Sequence, residues 1–136
     1  MSGQQLYNTP LLKKIGAKEN QHLLVLNPPS FIRELLIGEK LVFQTQADTS
    51  KKYDLIWLFT NKVRELESGL KSLRLMLNPP GIIWVSWYKK SSRLISELNE
   101  DIIRDTALAL DLVDIKVASV DPSWSALKLV IPLNKR

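Results

Sequence analysis

The stretch Tyr53–Trp87, YDLIWLFTNKVRELESGLKSLRLMLNPPGIIWVSW, decides the fold. Tyr53–Thr60 carries five consecutive apolar residues, which predicts a central strand covered on both faces. From Asn61 to Leu77 the period changes. Val63, Leu66, Leu70, Leu73 and Leu77 recur at spacings of 3 and 4, and Lys62, Arg64, Glu67, Lys71 and Arg74 take the opposite face. That is the pattern of an amphipathic helix. Asn78-Pro79-Pro80-Gly81 stops it, and Ile82–Trp87 reads as another buried strand. Strand, helix, strand in this order points to parallel strands joined by a crossover helix.

Toward the amino terminus, Thr9–Gly16 reads as one short helical turn, with Thr9 as cap, Pro10 at the first helical position and Gly16 as a left-handed stop. His22–Leu26 is a near-continuous apolar run ending at Asn27-Pro28-Pro29, the mark of a strand buried on both faces. Ser30 is placed to cap a helix running to Ile37, with Gly38 ending it. Leu41–Gln46 predicts a strand that turns polar at its far end, as an edge strand does. The Ala47–Lys52 loop is short for a crossover, since six extended residues reach about 20 Å.

Beyond Trp87, Tyr88–Arg93 is a basic, hydroxyl-rich loop. A helix follows from Asn99 to Leu110, with Glu100 and Asp101 complementing its dipole. Leu112–Val120 and Ser125–Leu133 alternate as strands, and only Asp121-Pro122-Ser123-Trp124 separates them, so they form an antiparallel hairpin. The alternation of strands and helices predicts an α/β fold with a mainly parallel sheet and helices on both faces. No internal repeat or low-complexity segment interrupts it.

With 136 residues, one domain over 1–136 is the expected count, with Met1–Asn8 as a flexible polar lead. Cysteine is absent, which excludes a disulfide framework, thiolate catalysis, cysteine-ligated zinc and iron–sulfur clusters. A single histidine excludes a multi-histidine metal site from one chain. The balance of 19 basic against 14 acidic residues, a net charge of +5, favours anionic surroundings without selecting one. Met1–Asn8 lacks the apolar core of a signal peptide and no window is apolar enough to span a membrane, so the cytoplasm is the expected compartment. No helix-turn-helix or RNA-binding signature accompanies the scattered basic residues, so nucleic acid is not the expected partner.

The ordered set of motifs resembles a class I methyltransferase fold. More narrowly, the chain is similar to a small bacterial domain family of unknown function with a trimmed version of that fold. The stretches that carry the resemblance are Pro10–Gly16 with Lys18, Leu26-Asn27 with Pro29 and Phe31, Trp84-Val85-Ser86-Trp87 with Lys89-Lys90-Ser91, and Glu100–Arg104. Leu112–Val117, Val120-Asp121 and Trp124-Ser125 with Leu127–Val130 complete the set, which covers nearly the whole chain. Tyr88 stands where the family pattern has Pro, and Ala126 where it has Gly. The resemblance implies a Rossmann-like three-layer sandwich around a six-stranded sheet of order 2-1-3-4-6-5, strand 6 antiparallel. It also places the ligand edge at the carboxyl ends of the strands, with the switch point between strands 1 and 3.

Class I methyltransferases hold S-adenosylmethionine on a glycine-rich turn after strand 1, where the backbone comes close to the ligand. Here that turn is Asn27-Pro28-Pro29-Ser30, without glycine and with two residues that have no N–H. The acid that would hold the ribose at the end of strand 2 is represented only by Asp48. The expected cofactor is therefore none. No catalytic residue and no metal site is assigned: Glu97, Glu100, Asp101 and Asp105 read as helix-start and solvated residues, and His22 and Asp54 lie at the opposite edge.

The candidate ligand-binding residues gather on the carboxyl edge: Asn27, Ser30, Trp87, Lys89, Lys90, Ser91, Arg93, Asp121 and Trp124. Lysines supply charge, hydroxyls supply donors and aromatic faces stack on a base or ring. Asp121 is placed to orient Lys89 or Lys90, or else serves the turn, and Trp124 is either a stacking face or a core plug. Thr60, Asn61, Ser86, Tyr88, Ser92 and Ser123 share the same rim. The expected function is a non-catalytic module that binds a small anionic ligand or a protein partner there. An S-adenosylmethionine-dependent enzyme with an atypical cofactor loop and a structural, oligomerising protein are the alternatives.

Overall fold

The computed structural model describes residues 10–136. A helical turn over 10–15 (α1) leads into β1 (Leu23–Leu26), α2 (Ser30–Gly38), β2 (Phe43–Gln44), β3 (Tyr53–Phe59), α3 (Val63–Met76) and β4 (Leu77–Tyr88). Then come a 3₁₀ turn (Lys90–Ser92), α4 (Glu100–Leu108), β5 (Val113–Ser119), β6 (Trp124–Val130) and a last 3₁₀ turn (Leu133–Lys135). The expected Thr9 cap and the Met1–Asn8 lead lie outside the described residues.

The strands form one six-stranded sheet in the order β2-β1-β3-β4-β6-β5. β2, β1, β3 and β4 run parallel, and β6 runs antiparallel to both β4 and β5. Alternation along the strands divides the core in two. On one face Leu24, Ile56, Leu58, Ile83, Val85 and Trp87 meet Leu66, Leu70 and Leu73 of α3 and Ile103 and Ala107 of α4. On the other face Leu23, Val25, Leu55, Trp57, Phe59 and Trp84 meet Leu12 and Ile15 of α1 and Ile32, Leu35 and Leu36 of α2. The apolar runs of β1 and β3 are thus explained by helices on both sides.

Several boundaries differ from the sequence reading, each for a local reason. Pro29, not Ser30, takes the cap position of α2: its carbonyl accepts from the Ile32 and Arg33 amides, and Ser30 is the first helical residue. The reversal after α2 falls on Lys40, at φ 59°, instead of Gly38. Gly16 does take the left-handed stop, at φ 88°. The expected strand Leu41–Gln46 shrinks to Phe43–Gln44. Because β2 is this short, the loop to β3 has little length to retrace and needs no helix. The loop is instead pinned by Tyr53, whose hydroxyl donates to Gln44 Oε1 (2.5 Å) and accepts from the Asp48 amide (3.1 Å).

Asn78-Pro79-Pro80-Gly81 ends α3 without making a separate turn. β4 starts at once with Leu77 opposite Tyr53, and the next paired residues are Ile82 and Leu55, so the four residues between bulge out of the ladder. Prolines cannot donate to a ladder, and a bulge is where a strand tolerates them. The bulge closes on Asp54, whose carboxylate accepts from Asn78 Nδ2 (2.8 Å) and from the His22 amide (2.8 Å).

α3 has no side-chain cap of its own; Glu97 Oε1 reaches across from the loop before α4 to accept from the Val63 amide at 2.8 Å. α4 is capped by Asn99, which accepts from the Ile102 amide. Arg104 then bonds Glu100 and Asp101 on its own helix and Asp114 on β5, the last at 2.9 Å. Asp114, then Glu100, hold its guanidinium even more firmly charged than usual. These pairs are largely wet, so they orient α4 on β5 more than they stabilise it. Among the described residues no helix is long and apolar enough to cross a membrane.

Two glycines test this packing in opposite directions. A Cβ on Gly81 would sit 2.7 Å from the Asp54 carbonyl oxygen and 2.9 Å from that of Asn78, whereas one on Gly69 in α3 meets only Leu58 at 3.8 Å. Gly81→Ala is expected to destabilise by about 1–3 kcal/mol through overpacking against backbone. Gly69→Ala should stabilise by roughly 0.5–1 kcal/mol, the helix-propensity gain. Urea denaturation of both variants checks this, and a Gly81→Ala chain as stable as the parent would contradict the close approach.

Candidate functional site

The carboxyl edge is built by the ends of β1, β3, β4 and β5 and by the start of β6. At the end of β1, Asn27 adopts a left-handed conformation, φ 55°, and its Nδ2 donates to the Phe59 carbonyl at 3.4 Å. Asparagine tolerates this region better than most residues. Pro28 and Pro29 follow and have no N–H to offer. In the loop after β2, four residues beyond Gln44, Asp48 Oδ1 accepts from the Ser50 hydroxyl (2.6 Å) and the Ser50 amide (3.0 Å). These two bonds, the hydroxyl first, hold the Asp48 carboxyl below its ordinary range.

At the middle of the edge, polar groups serve the fold. The Ser86 hydroxyl is buried and accepts from Trp57 Nε1 at 2.8 Å. Asn61 Oδ1 accepts from the Tyr88 amide (2.7 Å), and its carbonyl accepts from the Glu97 amide. Thr60 is buried and its hydroxyl donates to Glu65 Oε1 at 2.7 Å. These residues lock the loops that follow β3 and β4 to each other.

The aromatics are likewise committed. Trp87 packs with the α3–α4 layer, 7% exposed, while Trp124 lies on the α1–α2 face, 9% exposed. Trp124 meets Tyr88 (ring centroids 4.4 Å) and Phe59 (5.2 Å, edge-on), and Phe59 meets Trp57 (4.8 Å). The sheet separates Trp87 from this cluster, so the two indoles do not form a common stacking platform. Asp121 makes no ion pair with Lys89 or Lys90 among the described residues. Its Oδ1 accepts from the Ser123 and Trp124 amides (2.9 and 2.8 Å), which is turn chemistry.

What remains is a cationic point at the β4–β6–β5 end. Lys89 Nζ donates to the Ser119 hydroxyl at 2.6 Å, and Lys14 Nζ, reaching over from α1, donates to the Ser119 carbonyl at 3.2 Å. Neither lysine has an acidic partner among the described ion pairs. Lys90, Ser91 and Arg93 are exposed on the neighbouring 3₁₀ turn, with Arg93 left-handed at φ 63°. Asn27 and Ser30 stand apart from this point. β1 and β5 are four strands apart in the sheet, about 19 Å at the usual spacing. The candidate residues therefore divide into two groups. Lys14 and Ser119 belong to the cationic group, and no sequence signal beyond their basic and hydroxyl character marks them.

No family model and no curated protein matches the chain. Solved structures do. A SAM-dependent methyltransferase from Aquifex aeolicus superposes with a TM-score of 0.67 at 14% identity, over 92% of this chain and 89% of that one. The magnesium protoporphyrin IX methyltransferase of Synechocystis PCC 6803, determined with bound SAH, gives 0.64 at 12% identity over 96% and 83%. The N-methyltransferase NodS of Bradyrhizobium japonicum WM9 gives 0.59 at 14% over 95% and 96%. At these identities the likeness is one of fold: the chain has the α/β sheet of class I methyltransferases, with the same strand order and antiparallel strand.

The Ser86 hydroxyl supplies the buried acceptor for the Trp57 indole N–H, and Ser86→Ala would leave that N–H unpaired at zero exposure. The expected cost is about 1–3 kcal/mol in urea denaturation, the desolvation penalty of an orphaned donor. An unchanged midpoint would mean that the indole has another acceptor.

Proposed function

We propose that the protein is a methyltransferase-fold module that does not transfer methyl groups and that binds a small phosphate-bearing anion at the carboxyl edge, between Lys14 and Lys89. The observation that carries this reading is the meeting of both ammonium groups at Ser119 without a carboxylate between them. Two like charges held close repel, and an oxyanion placed between them turns that repulsion into two charge-assisted hydrogen bonds. The Ser119 hydroxyl, accepting from Lys89, keeps its proton free to donate to the same anion. Lys90, Ser91 and Arg93 extend the positive rim.

The neighbours' cofactor does not suit the residues of this chain. A glycine turn brings free amides to the adenosyl ligand. Here Pro28 and Pro29 occupy the turn, and Asp48 is engaged by Ser50. The lack of those contacts is what supports the non-catalytic reading. One feature favours the second reading, an S-adenosylmethionine-dependent enzyme with an altered loop: Asn27 keeps the left-handed turn at φ 55° that glycine would otherwise provide. The turn's shape survives, but its donors do not.

Thermal unfolding with inorganic phosphate, adenosine monophosphate and glucose 6-phosphate tests the anion site. A ligand present at a hundred times its dissociation constant stabilises the native state by about 2.7 kcal/mol. The Lys14→Ala/Lys89→Ala double variant should fold normally and lose that response. A panel that is flat with the parent chain, or a response that survives the double substitution, would refute the assignment.

A further inference from the structure

A cleft lies at the opposite, amino edge of the sheet, where β2, β1 and β3 begin. Its volume, about 690 Å³, falls within the range of roughly 300–1,000 Å³ typical of small-molecule sites. β2 pairs Phe43 and Gln44 with Leu23 and Leu24 at the start of β1, and the cleft lies at this end of the pair, beside Gln21, His22 and Val42. One wall is apolar, formed by Leu23, Val42 and Phe43, and Val42 is 86% exposed. A valine left this bare beside a concave wall is surface that a ligand would remove from water.

The other wall carries oriented polar groups and no acid among its lining residues. Gln44 Oε1 is taken by the Tyr53 hydroxyl, which leaves the amide NH₂ of Gln44 as a donor. His22 Nδ1 donates to the Lys52 carbonyl at 3.2 Å, the one role open to a ring nitrogen facing a carbonyl. Lys52 is engaged, its Nζ donating to the Leu75 carbonyl at the end of α3 (2.6 Å). Lys51 is exposed and makes none of the described ion pairs, although its charge acts on Asp48, whose Oδ1 is already held by Ser50. One ammonium and one amide NH₂ facing an apolar wall match a single carboxylate attached to an aromatic or branched body. We infer that this cleft is a second binding site, distinct from the carboxyl edge, for an amphipathic monocarboxylate.

The chain's single histidine makes the test direct, because the His22 ring protons report on the cleft alone. Titration with 2-naphthylacetate should shift the His22 ring resonances saturably, with a dissociation constant below about 1 mM. The neutral 2-naphthylacetamide should bind roughly tenfold more weakly or worse, because it cannot pair with the ammonium. Lys51→Ala should weaken the acid by about fivefold or more and leave the amide unaffected. The Lys14→Ala/Lys89→Ala variant should titrate like the parent, which separates this site from the carboxyl-edge proposal. The inference is overturned by no saturable His22 shift up to about 10 mM, by equal affinity for acid and amide, or by an unchanged Lys51→Ala titration. Loss of the His22 shift in the Lys14/Lys89 variant would overturn it as well.

Discussion

Two successive residues without an amide proton follow β1, and that constraint shapes what this fold can hold. Pro28 and Pro29 fix the chain's path out of the sheet, and Pro29 at once supplies the carbonyl on which α2 starts. α2 is anchored by Ile32 and Leu36, both fully buried, so the turn cannot swing aside to expose other donors without unpacking a core. Asn27 makes the left-handed bend that a glycine makes elsewhere, and spends its side-chain amide on Phe59. The result is a turn that is stiff and poor in donors, set where open α/β sheets bind their ligands.

Elsewhere the polar groups of the molecule are mostly consumed by its architecture. Asp54 joins the start of β1 to the bulge of β4, Glu97 caps α3, Asn61 ties the ends of β3 and β4, and Asp121 closes the β5–β6 turn. Arg104 holds three acids, Glu100, Asp101 and Asp114. After these assignments the carboxyl edge retains Lys14, Lys89 and Ser119 with their exposed neighbours, and the amino edge retains the cleft beside β2. Both features sit at ends of the sheet: one where the turn into β6 packs beside the end of β4, the other where the two-residue β2 begins beside β1.

The alternation of long apolar runs with one strongly amphipathic helix made the layers and most strands legible in the sequence, because β1, β3 and β4 are buried on both faces and α3 on one. Periodicity was less informative where chain connectivity decided the outcome. Pro79 and Pro80 read as a stop, yet the chain continues as β4 because a bulge removes them from the ladder. Leu41–Gln46 looked like a full strand, but Tyr53 captures Gln44 and the loop peels away. At the site, Trp87–Arg93 was visible as a cluster in one dimension, and Asp121 joined it only through the predicted strand order. The placement of Trp87 and Trp124 on opposite faces follows from a strand's period of two and from the pairing of β4 with β6, which fixes which residues are opposite one another. Lys14 lies more than a hundred positions from Ser119 and meets it only through tertiary packing.

Equilibrium dialysis of the folded protein against radiolabelled S-adenosylmethionine tests most directly whether the donor-poor turn has ended cofactor binding. The account predicts no saturable, stoichiometric binding up to about 1 mM. Stoichiometric binding below that concentration would mean that Asn27, Pro28 and Pro29 still cradle an adenosyl group, and would contradict the account.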